Sequence, residues 1–229
     1  MMGIHKVLPY DSEIEYLQTD GTQYVDTGCI PNNTNEFEVN FTYLGDNGQN
    51  QAIIGARNSD QQSVSASVMS LSIWLGSYDR YAANDKGYDS GWLGNLSVNA
   101  RYTLSIKNRS IYRNDVFKWS AYTSVVYRYT NTTVGLFRSH GINNFWDPRP
   151  GHKLKFYYAK IYDNGQLVRD YIPVRVGQTG YLYDKVSGTL FGNQGTGNFT
   201  LGPDVLGGGK FALIICNIVA LLTIERRAA

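Results

Sequence analysis

The chain has 229 residues, with 18 Tyr, 24 Gly, 17% charged residues and a formal net charge of +2. That length suits one large all-β domain with a sizeable core, and near-neutral, scattered charge argues against nucleic acid, whose phosphates need clustered Lys and Arg. Two cysteines, Cys29 and Cys216, make neither a disulfide framework nor a zinc site, although one bridge between them is open.

Residues 1–9 read as an N-terminal extension. They hold no apolar run, so no secretory signal peptide is expected. Short strands are expected at 13–17 and 22–26, split by Asp20-Gly21, with a loop over 29–35. Residues 36–44 alternate cleanly, with Phe37, Val39, Phe41 and Tyr43 opposite Glu38, Asn40 and Thr42, which predicts a strand with one wet face. An apolar strand follows at 51–57 and a polar loop at 58–67. Residues 68–75 alternate again, with Leu71, Ile73 and Leu75 opposite Ser72 and Trp74. The stretch 76–94 reads as a long polar and aromatic loop. Strands are expected at 101–107, 116–122 and 133–137, with turns at 108–114. The basic residues of 101–118 read as a solvated strand edge. A second long loop spans 138–151, and loops of that length tend to be functional.

Residues 153–203 are the most informative. Asp163-Asn164-Gly165 divides two apolar runs, and Asn-Gly accepts positive φ at both central turn positions, so a two-residue hairpin is predicted. Its strands are 153–162 and 166–172, with Pro173 as the stop. The parity of the first strand breaks near Tyr157. Either both faces are covered or a bulge resets the register. A second hairpin is predicted from 181–184 and 189–191 around Ser187-Gly188, with Phe199 as a last apolar anchor.

The run AKIYDNGQLVRDYIP at 159–173, then GYLYDKVSGTLFGNQGTGNF at 180–199, resembles the closing segment of concanavalin A-like (laminin G-like) jelly-roll domains. Such domains occur in gut-bacterial surface proteins and in their phages. The opening EYLQTDGTQYVDTG at 15–28 is similar to their first strands. The resemblance spans residues 10–203. It implies a β-sandwich of two antiparallel sheets and a glycan-binding or adhesion role on a virion or cell surface. The alternative is a capsid or fibre decoration protein built for assembly.

Residues 204–209 read as a Gly-rich linker and 210–229 as an apolar tail. At 211–224 the apolar run is shorter than the roughly 20 residues that span a bilayer. A buried strand, a buried helix and an interfacial segment all fit it. Phe211, Leu213, Ile215, Ile218, Leu221 and Leu222 are the candidate contacts for a second copy or a virion or surface partner.

Chemistry has few carriers. Glucanases of the resembled fold carry an E-x-D-x-x-E run, because retaining hydrolysis places two carboxyl groups about 5 Å apart. Ser12-Glu13-Ile14-Glu15 lacks the central Asp and the third acid, so no enzyme activity is expected. His140, His152 and Asp147 are read as ordinary loop residues rather than as parts of a triad. Calcium, common in the resembled fold, would draw on Asp79, Asp85 and Asp89, whose spacing matches no EF-hand loop; no cofactor is assigned. Sugar rings present flat C–H faces on which aromatic side chains stack. Tyr78, Tyr81, Trp92, Phe145 and Trp146, set in Asn/Asp/Gly-rich loops, are therefore the candidate contacts for a polysaccharide or glycoconjugate. Trp74 and Trp119, on strands, are expected in the core.

Overall fold

Alternating apolar residues build two layers. A computed structural model describes residues 8–45, 47–58, 69–76, 78, 80–85, 88–121 and 131–205. Its strands begin with β1 (Ser12–Glu13), β2 (Leu17–Thr19), β3 (Val25–Asp26), β4 (Asn35–Tyr43), β5 (Gln51–Arg57), β6 (Met69–Gly76), β7 (Arg80–Asp85), β8 (Tyr88–Asp89) and β9 (Arg101–Lys107). They continue with β10 (Ser110–Arg113), β11 (Val116–Ser120), β12 (Gly135–Leu136), β13 (His140–Gly141), β14 (Phe145–Trp146), β15 (Leu154–Asp163), β16 (Gln166–Val176), β17 (Thr179–Asp184), β18 (Thr189–Phe191) and β19 (Thr200–Leu201).

Among the described residues these form two sheets. The larger runs β11-β10-β9-β4-β15-β16-β17-β18, with β1, β2 and β19 attached. The smaller runs β14-β13-β5-β6-β7-β8, with β12 and β3 attached. Pairing among these strands is antiparallel except for a short parallel contact between His140 and Ala56. The core lies between the sheets. Phe37, Val39, Phe41 and Phe156 come from the larger sheet, and Ile54, Leu71, Ile73 and Tyr81 from the smaller. Phe137 packs edge-on against Phe156 and Phe199, with ring centroids 5.1 and 5.6 Å away. A second cluster, Tyr10, Val174 and Tyr183, seals part of the larger sheet, with Leu8 packed against it.

The parity break in β15 is a bulge. Its register against β4 shifts between Phe156 and Tyr158. The extra residue returns Ala159 and Ile161 to the core face used by Leu154 and Phe156. The predicted stop at Pro173 is wrong: β16 continues to Val176. Pro173 accepts from Ile14 N–H at 3.1 Å, so its donor-less nitrogen points to the side where β1 has just ended. No bond to β17 is lost.

The predicted wet face of β4 is nearly dry. Asn40 and Thr42 are buried. Arg101 stacks over Tyr157 at 3.6 Å and donates to Asn40 Oδ1 at 2.7 Å, and the Tyr157 hydroxyl lies 3.0 Å from Thr42 Oγ1. The stretches read as loop or turn at 76–94 and 108–114 also contain strands, β7, β8 and β10. Residues 59–68 and the whole apolar tail, including Phe211, Leu213, Ile215, Ile218, Leu221 and Leu222, lie outside the described residues.

Candidate functional site

One end of the smaller sheet carries an aromatic ladder. β6 ends at Gly76, the chain turns through Tyr78 with φ 63°, and β7 begins at Arg80. Leu75 pairs with Tyr81 on the core side, so Gly76, paired with Arg80, faces outward, as does Trp74, paired with Ala82. Trp92 folds back over Gly76, where a β-carbon would collide with its ring. The Arg80 guanidinium carbon sits 4.2 Å from the Trp92 ring centroid and 5.3 Å from that of Tyr78. Trp74, packed with Ala52 and Ala82, supports Trp92 at 5.0 Å and a 49° tilt. The order is Tyr78, Arg80, Trp92, Trp74, from solvent inward. Tyr78 is 77% exposed and Trp92 37%. Isolated exposed apolar residues are ordinary; here two large rings are braced together at the surface, and this is the candidate site.

The other candidates go elsewhere. Tyr81 is fully buried, because strand alternation in β7 turns it into the core. Burial pushes its hydroxyl pKa up. It cannot meet a ligand from solvent. Trp146 stacks on His140 at 3.9 Å and 3°, and on Tyr24 at 4.4 Å and 33°. Two rings this close cannot sit side by side on one face without colliding, so both indole faces are covered. Phe145 lies 5.5 Å from the guanidinium carbon of Arg57, which is buried in an ion pair with Asp147 at 3.0 Å. Arg149 grips the same carboxylate. Burial lowers the Arg57 pKa against the opposing pull of Asp147. Phe145 and Trp146 thus close a structural knot. They lie three to four strands from the ladder along the sheet, about 14–19 Å at 4.8 Å per strand. Beside them is a polar cleft of about 380 Å³, lined by Asp26, Thr133, His140, Asn143 and Asn144 among others.

Several titratable groups have structural partners. His140 meets Thr133 through Nδ1 (2.8 Å) and Asn144 through Nε2 (3.2 Å), and the Ser139 hydroxyl donates to Gln51. His140 and Asp147 do not pair, so no triad assembles from them. Glu13 accepts from Tyr10, and Asp184 accepts backbone N–H groups of Asp170 and Val186. Among the described residues no three metal-capable side chains cluster. Asp79 and the side chains of Asp85 and Asp89 lie outside those residues. Trp74 is buried as expected, but on the outer face of its sheet, and Trp119 is half-buried against the main core. Sequence reasoning missed Arg80. Its signal is the pairing of β6 with β7, which sets Arg80 on the outer face with Trp74 and Gly76.

No family model matches the sequence, and no curated protein matches it. Solved structures match in fold. A proposed carbohydrate-binding protein from Bacteroides ovatus aligns with a TM-score of 0.56 and 13% identity, over 83% of this chain and 60% of that one. This chain therefore spans about three fifths of that protein. Trypanosoma rangeli sialidase aligns with a TM-score of 0.41 and 11% identity, over 58% of this chain and 21% of the enzyme, an overlap too small to carry a functional argument. The Bacteroides match shows a shared β-sandwich.

Proposed function

We propose that this chain is a non-catalytic glycan-binding module of the concanavalin A-like, laminin G-like kind, displayed on a phage particle or bacterial surface. The observation that carries the reading is the Tyr78–Arg80–Trp92–Trp74 ladder. Tyr78 offers an outer ring face to a pyranose, and the stack behind it limits the ordering cost of binding. The fold shared with a proposed carbohydrate-binding protein supports the same reading. In this reading Glu38, Asp147 and Asp184 are structural, held by Lys107, by two arginines and by backbone amides.

Glycan-array screening followed by calorimetry tests the reading. Tyr78→Ala and Trp92→Ala should each weaken binding at least tenfold, about 1.4 kcal/mol. Binding should survive EDTA. Trp146→Ala should lower the melting temperature and leave affinity unchanged. No binding to any polysaccharide, or release of reducing ends from one, would overturn the proposal. Fractionation of particles and cell envelopes, probed with an antibody to the chain, tests where it is displayed.

A further inference from the structure

A second cleft lies at one end of the larger sheet, where β4 stops short of its neighbours. Asn35 opens β4 and pairs with Asp163, and Phe37 pairs with Ile106. Two hairpin tips project past that start: Asn108-Arg109 between β9 and β10, and Asn164-Gly165 between β15 and β16. The loop before β4 floors the gap between them. The result is a cleft of about 520 Å³ lined by Asn33, Thr34, Glu36, Asn108, Arg109 and Asn164, with Gly165 at its rim. That volume falls within the roughly 300–1,000 Å³ usual for small-molecule sites.

The walls are set before any ligand arrives. Both tips run through left-handed backbone, with φ of 47° and 63° at Asn108 and Arg109 and 49° and 76° at Asn164 and Gly165. The tips are tied to the floor. Asn108 N–H donates to Glu36 Oε1 at 2.7 Å, Asn164 N–H to the Thr34 carbonyl at 3.4 Å, and Asn32 Nδ2 to Asp163 at 3.2 Å. Thr34 Oγ1 also bonds Asp163.

The lining chemistry selects the ligand. It has no aromatic or aliphatic side chain, so stacking is absent. One carboxylate and one guanidinium balance, so neither an anion nor a cation is favoured. Three amides and a hydroxyl offer mixed donors and acceptors. We propose that this cleft is a second sugar site, taking a single neutral pyranose by hydrogen bonds alone. It is separate from the aromatic ladder, which belongs to the other sheet, and it stands whether or not the ladder binds. If both sites hold one polymer, the module gains avidity without any new contact.

Amide NMR tests this directly. The ¹⁵N-labelled chain is titrated with D-glucose, D-galactose, D-mannose, N-acetyl-D-glucosamine and D-glucuronate. At least one neutral sugar should shift the amides of Asn108, Arg109, Asn164 and Gly165 saturably, and more tightly than glucuronate does. The double variant Asn33→Ala/Glu36→Gln should weaken those shifts at least tenfold; its spectrum also reports whether it is folded. Should it fail to fold, Asn33→Ala alone carries the same expectation with a threefold threshold. Silent tip amides across the panel, shifts unaltered in the variant, or tighter binding of glucuronate would each overturn the inference. Movement at Tyr78 and Trp92 with silent tips sinks this site and leaves the glycan-binding reading intact; the converse supports this site and leaves the ladder to the polysaccharide screen.

Discussion

Gly76 shows how one missing β-carbon positions a binding surface. Trp92 covers it, and Gly76→Ala would drive the indole off its place between Arg80 and Trp74. Because Trp92 lies at the surface, the fold should persist. Tryptophan emission should shift to the red, and glycan affinity should fall toward that of Trp92→Ala. Unchanged emission would mean that Trp92 finds support elsewhere. Glu38, on the outer face of the larger sheet, is a different kind of residue. Burial alone would raise its pKa, but the hydrogen bond and charge of Lys107 at 2.6 Å and the Tyr158 hydroxyl at 3.0 Å outweigh burial and hold it below the ordinary carboxylate range. The folded carboxylate therefore binds its proton less tightly than the unfolded one. Its stabilisation is complete above the unfolded pKa of about 4.3 and is lost as pH falls through the lower folded value. Glu38→Gln should lower the urea midpoint at pH 7 and flatten its acid limb below about pH 4. The Tyr158 hydroxyl, pushed up to about 12 by burial and then by the Glu38 charge, should titrate lower in the same variant. Parallel acid limbs in the two proteins would disprove the coupling.

The hairpin of β15 and β16 is the element that the sequence marks most clearly, and its turn can be tested by itself. Asn164 and Gly165 both adopt positive φ. Asn164→Ala should cost about 1 kcal/mol, because a β-carbon without a compensating polar side chain strains the left-handed region. Asn164→Gly should be close to neutral, as a denaturant midpoint would show. A larger loss for Gly than for Ala would refute that account. Local chemistry of this kind made the closing hairpins, β4 and β5 legible, and it narrowed the parity break at Tyr157 to a bulge or a strand covered on both faces. What escaped depends on neighbours. Arg80–Asp85 carries two alanines and two acid or amide residues, so intrinsic preference hides it; it forms β7 because β6 offers an unpaired edge and Tyr81 and Ala83 find the core. Once β7 exists, Tyr81 moves inside and Arg80 comes to the surface between Tyr78 and Trp92. The candidate site was thus half legible: Tyr78 and Trp92 stand out in sequence, while the arginine that joins them needs the pairing. Trp146 failed for the same reason. Its partners Tyr24 and His140 are brought to it by β3, β12 and β13, and no window of sequence contains all three.

At the scale of the molecule, the opening segment is sewn to β15 and β16, and the closing segment is sewn to the opening one. β2 pairs with β15 on one side and β19 on the other, and β1 pairs with β16. Arg175 of β16 clamps Asp204 at 2.7 and 2.6 Å, while Ile14 bridges Asp204 through the backbone. Leu17 is fully buried at this seam, where Gly180 leaves just enough room for the methyl groups of Leu17 and Leu201. Pairings that join the start of the chain to its far end form late and slowly, since loop closure precedes the contacts that reward it. They also tie every strand of the larger sheet into one unit. Damage at the seam should therefore be felt by the whole domain. Leu17→Ala should remove about 3 kcal/mol, in a single transition seen at the same urea concentration by the emission of a Trp119→Phe background, which reports Trp74, Trp92 and Trp146 on the smaller sheet, and by far-ultraviolet dichroism, which reports all strands. If the two probes separate, with dichroism lost first and the tryptophan signal retained, the opening segment is an independent flap, and the sandwich that carries the ladder holds together without it.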